Sequence, residues 1–158
     1  MGNAVLFARA VSVMCALLCA SVVANAQSVE IKQAWIRGTV PAQKVTGAFM
    51  EITGKRAVRL LSANSLVAAS VEIHNMTMQN GVMKMAPVDG IDVPAGKTIR
   101  LAPGGYHMML MGLKQQMKPG EHVPMRLTFE LADKRQESLD ISVEVRDIAG
   151  NRAAAHTH

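Results

Sequence analysis

The sequence predicts an all-β domain, a single sandwich or Greek-key barrel of roughly nine short strands. Two observations point there. From Val29 onward, short apolar runs alternate with Gly, Pro, Asn and Asp punctuation, the rhythm of strands and turns. No segment of that region carries a sustained helical period. Strand segments fall at 29–36 (VEIKQAWI), 46–52 (TGAFMEI), 57–63 (AVRLLSA), 70–78 (SVEIHNMTM) and 82–88 (VMKMAPV). Four more follow at 97–102 (KTIRLA), 106–113 (YHMMLMGL), 123–131 (VPMRLTFEL) and 138–146 (SLDISVEVR). Between them, VPAQ (40–43), QNG (79–81), VPAGK (93–97), PGG (103–105) and KPGE (118–121) supply the fixed or positive φ that turns require. The domain is expected to span 27–150, with 151–158 (NRAAAHTH) as a frayed tail.

The first 26 residues read differently. They hold one cation, Arg9, no acidic residue, an apolar run from Ala10 to Val23 and a small-x-small end at Ala24-Asn25-Ala26. This is the pattern of a secretory signal peptide cleaved before Gln27, and it implies a periplasmic location. The apolar run is shorter than the roughly 20 residues of a membrane span, so stable membrane insertion is not expected. Cys15 and Cys19 follow Met14 and Leu18, where a lipid-attachment site would place a small residue.

Both cysteines lie in that leader, so the exported domain has no disulfide framework, no cysteine nucleophile and no thiolate ligand. The formal charge is +5 for the whole chain and +4 without Arg9, with no dense basic run. With only five aromatic residues to stack on bases, nucleic acid is not an expected partner. G-x-S-x-G, H-E-x-x-H and phosphate-cradling glycine motifs are missing from the sequence, which speaks against hydrolytic or phosphoryl-transfer enzymes.

The informative stretch is VEIHNMTMQNGVMKM (71–85). Asn80-Gly81 between two alternating runs is a strong hairpin signal, because a type I′ turn needs positive φ at both central residues. Counting outward sets Gln79 against Val82, Met78 against Met83, Thr77 against Lys84, Met76 against Met85 and His74 against Pro87. Alternation then projects His74, Met76, Met78, Met83 and Met85 from one face, with His74 on the diagonal from Met85. The segment HMMLM (107–111) repeats the device, sending His107, Met109 and Met111 to one side.

A methionine stripe in a strand is ordinarily core packing. Two histidines in phase with methionine on separate strands are harder to dismiss, and nine of the twelve methionines fall between Met76 and Met125. Thioether sulfur is soft and uncharged, a poor ligand for calcium or magnesium, whereas Cu(I) accepts both sulfur and imidazole. Zinc would be expected to recruit cysteine or carboxylate beside histidine. A blue-copper electron carrier needs a cysteine thiolate, which the domain lacks. An extracytoplasmic immunoglobulin-like interaction module would explain the strands and leave the paired histidines and methionines as coincidence.

The spacing of His74, Met85, His107 and Met109 resembles, without a gap, the H-x10-M-x21-H-x-M signature of the PCuAC-type periplasmic copper chaperones. The likeness extends through AWIRGTVPAQKVTGAFMEI (34–52), the 71–85 stretch and LAPGGYHMMLMGLKQQMKPGEHVPMRLTFE (101–130), most of the domain. It implies a cupredoxin-like Greek-key β-barrel, without enzymatic activity, that binds Cu(I) through His74, Met85, His107 and Met109. It also implies delivery of copper to an apo-protein, cytochrome c oxidase subunit II or a Sco-type protein, during assembly of the oxidase copper centre. Met76, Met78, Met83 and Met111 are candidates for an outer sulfur rim, with packing the competing account of each. His156 and His158 are candidates for a second copper, Cu(II) included, although a solvated tail is the simpler account. The domain is expected to be monomeric.

Overall fold

The structure, a computed structural model, describes residues 27–147. The expectations for 1–26, for the end of the domain at 148–150, and for the tail with His156 and His158 lie outside them. Among the described residues there are ten strands and no helix: β1 (Val29–Arg37), β2 (Val45–Gly54), β3 (Val58–Asn64), β4 (Ser70–Gln79), β5 (Val82–Pro87), β6 (Ile91–Val93), β7 (Thr98–Leu101), β8 (His107–Met111), β9 (His122–Leu131) and β10 (Gln136–Arg146). They join in one sheet in the order β5-β4-β8-β2-β1-β10-β9-β3-β6, with β7 also on β2. The sheet curls on itself, so that β3 packs against β4 and a single core is enclosed. The expected all-β, single-domain architecture is what the chain adopts.

Nine of these strands match the sequence expectation to within a few residues; β6 does not appear there. Its three residues pair with Val58, Arg59 and Leu60 of β3 and lie between the turn signals of Asp89-Gly90 and Pro94. Ile91 and Val93 are buried, but three residues are too few for alternation to register.

Alternation places two chemistries on opposite faces of the same strands. Ala48, Met50 and Ile52 of β2, Ile73 of β4 and Met108 and Leu110 of β8 turn into the core, with Ile36, Leu60, Leu127, Phe129 and Val143 from other strands. Burying each large side chain is worth about 1.5–3 kcal/mol. Met50, Met108, Met117 and Met125 belong to this core, so for them packing is the whole account. The intervening residues of β2, β4 and β8 face the other way and build the candidate site.

The topology brings β8 between β4 and β2. β2 is long enough to pair with β8 along Val45–Ala48 and with β7 along Met50–Thr53. β7 and β8 therefore follow one edge of β2, interrupted by residues 102–106. The interruption closes on itself through Ala102 N–H to the Tyr106 carbonyl at 2.8 Å and Gly105 N–H to the Ala102 carbonyl at 3.1 Å. The Gly105 carbonyl meets β4, where it accepts from Met76 N–H at 3.3 Å.

The chain enters β1 under a specific anchor. Ser28 N–H donates to Glu137 Oε1 at 3.1 Å, and hydrogen bonding from Ser28, its side chain first and its backbone N–H after it, holds the Glu137 carboxyl below its usual range. Because the folded-state value is depressed, the stabilisation is present above the ordinary carboxylate range and is lost as pH falls through the folded value. Glu137→Gln is therefore expected to melt at a temperature that falls less between neutral and acidic pH than that of the parent. Equal slopes in thermal melts across that range would remove Glu137 as a contributor.

Candidate metal centre

The hairpin forms with the register the sequence predicts, from Gln79↔Val82 through His74↔Pro87. Asn80 and Gly81 have φ of 51° and 76°, the left-handed pair that a type I′ turn needs. Beyond that local register, the second strand contact is decisive. β4 pairs with β8 antiparallel, setting His74 directly opposite His107 and Glu72 opposite Met109. Residues 33 apart in sequence thus become cross-strand neighbours on one face. The two imidazoles lie edge to face with centroids 5.8 Å apart.

Hydrogen-bond partners fix the state of each ring. His107 Nδ1 lies 2.9 Å from the Gly105 carbonyl oxygen. A carbonyl can only accept, so Nδ1 carries the proton and Nε2 of the neutral ring is a bare lone pair. That Nε2 lies 3.2 Å from Met85 Sδ. Two electron-pair donors converge there with no proton between them, a relation that a soft cation resolves by accepting both. His74 donates from Nε2 to Glu72 Oε2 at 2.8 Å, and its Nδ1 is buried without a hydrogen-bond partner in the structure. Both histidines are buried, at 8 % and 5 % exposure, whereas Met85 is 49 % exposed. The sulfur therefore sits between the buried rings and solvent.

The four residues of the spacing motif share this face. Met109 is two residues from His107 on β8, half-buried, and lines with it a cavity of about 300 Å³. Met76 lines the same cavity, as do Arg37, Gly47 and Phe49. The hairpin register alone does not specify the approach of Met85 Sδ to His107 on the neighbouring strand, while His74 is hydrogen-bonded to Glu72 on its own strand. Met78 and Met83 stand at the hairpin tip, 68 % and 45 % exposed, and Met111 lies at the far end of β8 opposite Ser70 and Val45. Of the four rim candidates, only Met76 shares the cavity with His107.

Three supporting groups escaped the sequence reading. Glu72 could have been found, since the alternation that grouped His74 with Met76 also groups it with Glu72. Gly105 acts through its carbonyl and carries no side-chain signal. Phe49 packs against Trp35 at 4.5 Å, lies 6.4 Å from the His107 ring and carries the Arg37 guanidinium 5.5 Å above it. This aromatic group backs His107 outside the main core. Gly47 leaves it room, because a Cβ there would stand 2.8 Å from Phe49 Cζ.

Among the described residues, no three His, Cys, Asp or Glu side chains gather to hold a metal. A hard-cation or zinc site of that kind has no donor set there. What the face offers is nitrogen with thioether sulfur, a mixture suited to a soft monovalent ion.

Comparison with known proteins agrees on the fold. Apo-DR1885 from Deinococcus radiodurans superposes with a TM-score of 0.58 at 28% identity, covering 93% of this chain and 94% of that one. CuI-DR1885 gives 0.52 at 31% identity, over 78% and 83%. The copper-bound PCuAC domain from PmoF2, at 22% identity, shares the fold with a TM-score of 0.58 over 75% and 94%. In sequence, "Putative lipoprotein Lxx21020" of Leifsonia xyli subsp. xyli is 32% identical over 129 residues, 80% of this chain and 74% of its own. "Uncharacterized protein RP573" of Rickettsia prowazekii is 28% identical over 122 residues, 73% and 66%. The family model described as "Putative lipoprotein LpqE-like" matches residues 29–145. Since that match runs from the first residue of β1 almost to the end of β10, taking in every strand that builds the site, the chain belongs to the LpqE-like family.

Proposed function

We propose that this protein is an extracytoplasmic Cu(I) carrier, binding the ion through His74, Met85, His107 and Met109. The observation that carries the reading is the 3.2 Å approach of Met85 Sδ to the unprotonated Nε2 of His107. Similarity to DR1885, solved in a form named CuI-DR1885, supports it. Four neutral ligands add no charge of their own to that of the ion. They hold copper without a thiolate, so uptake and release by ligand exchange need no thiol deprotonation or reprotonation. Met85, half exposed at the mouth, is the ligand that an acceptor reaches first, and Met76 is the nearest candidate for a slipped coordination.

The lipoprotein names of the family and of the Leifsonia relative support export, and the leader at 1–26 supports a periplasmic destination. The acceptor we propose is cytochrome c oxidase subunit II or a Sco-type protein, with the carrier itself catalysing no reaction. His156 and His158 are secondary candidates for a second copper, Cu(II) included, with a solvated tail the simpler account of them.

The test is titration of the purified exported protein with Cu(I) against a coloured chelator, with X-ray absorption to count sulfur and nitrogen neighbours. One colourless Cu(I) per chain with mixed sulfur and nitrogen coordination is expected. A melting temperature indifferent to Cu(I), with no withdrawal of copper from the chelator, would instead favour the immunoglobulin-like interaction module.

A further inference from the structure

We propose that Glu72 is a positioning residue that locks His74 in its Nε2–H tautomer and presents Nδ1 to the ion, so that the two histidines bind through opposite ring nitrogens. This deepens the copper reading and rests on it. The register sets the arrangement: Glu72 and His74 follow each other on one face of β4, directly opposite Met109 and His107 of β8. Glu72 Oε2 accepts from His74 Nε2 at 2.8 Å, a bond strengthened by the carboxylate charge. His74 Nδ1 is left as a buried lone pair with no hydrogen-bond partner. An unsatisfied buried acceptor is destabilising, and coordination by a metal removes that cost. On β8 the roles are reversed, because the Gly105 carbonyl takes the proton of His107 Nδ1 and leaves Nε2 for Met85 and the ion.

A carboxylate hydrogen-bonded to the far nitrogen of a ligating imidazole fixes ring orientation and makes the ligating nitrogen a better donor. Glu72 is suited to this role rather than to coordination. Its carboxylate is a hard donor that a monovalent soft ion does not favour, and its side chain is 46% exposed at the rim of the face. The single proton on His74 Nε2 therefore stays on that atom in the empty and the loaded protein.

Long-range proton–nitrogen NMR of the imidazoles reads this directly, and closed-shell Cu(I) does not broaden the spectra. The parent is expected to show His74 as Nε2–H and His107 as Nδ1–H, before and after one equivalent of Cu(I). Glu72→Gln keeps an acceptor oxygen and should retain both the pattern and the affinity. Glu72→Ala should give a mixed His74 tautomer and a Cu(I) affinity lower by about 10–100-fold. His74 found as Nδ1–H in the loaded parent, or Glu72→Ala unchanged in tautomer and affinity, overturns the proposal while leaving the copper reading intact. A parent that shows the tautomers but takes up no Cu(I) overturns both.

Discussion

Substituting His107 with alanine is expected to lower Cu(I) affinity by at least about 100-fold, since loss of even an outer-shell partner commonly costs 10–100-fold and this residue supplies a donor atom itself. His107 is 5% exposed, packs beside Phe49 and donates to the Gly105 carbonyl, so the same change also removes structure. A second substitution separates the two effects. Met85 is 49% exposed on edge strand β5, and its sulfur lies 3.2 Å from the same imidazole nitrogen. Met85→Leu keeps the bulk and removes the thioether, and a surface change of this kind is worth within about 0.5 kcal/mol in stability. It is expected to weaken Cu(I) binding without moving the denaturation midpoint of the metal-free protein. Chelator competition and chemical denaturation of both variants measure this. Parent-like affinity in Met85→Leu would place the ion elsewhere.

The adjacent pair Met108 and Met109 should respond in opposite ways. Met108 is fully buried in the core, paired with Ala48 and Ile73 across its two neighbouring strands. Met108→Ala is expected to destabilise the fold by about 2–5 kcal/mol, the lost transfer energy plus that of the cavity left behind. The donors remain on the other face, so Cu(I) affinity of the folded fraction should stay near that of the parent. Met109 faces the cavity shared with His107. Met109→Ile is roughly volume-conserving, so it should cost less than about 1.5 kcal/mol while lowering Cu(I) affinity. If both substitutions cost similar stability and neither altered binding, the division of the sheet into a packing face and a ligand face would be wrong.

That division was legible from sequence where it depends on alternation alone. Asn80-Gly81 fixes the turn, the turn fixes the register, and register with a period of two decides which face each residue joins. Alternation accordingly groups His74, Met76 and Met85 without reference to any tertiary contact. The same period, applied to β8, separated His107, Met109 and Met111 from Met108 and Leu110. Where signal was short or carried by backbone, the reading failed. β6 has three residues, and Gly105 acts through a carbonyl that any residue would possess. Alternation includes Glu72 too, but a carboxylate beside a soft-donor set does not suggest coordination, and its hydrogen bond to the His74 ring appears only in three dimensions.

By itself, the sequence determined that the described chain is a set of short alternating strands, that nitrogen and thioether donors recur in phase on two of them, and that no thiolate joins them in the domain. Only the tertiary structure decided that β8 lies against β4, that His107 meets Met85, and which nitrogen of each ring is left bare. The physical reason is range. Pleating and turn geometry act over a few residues and are written locally, whereas strand neighbours and hydrogen-bond partners are settled by how the whole sheet curls to bury Ile36, Leu60, Met108 and Leu127 in one core.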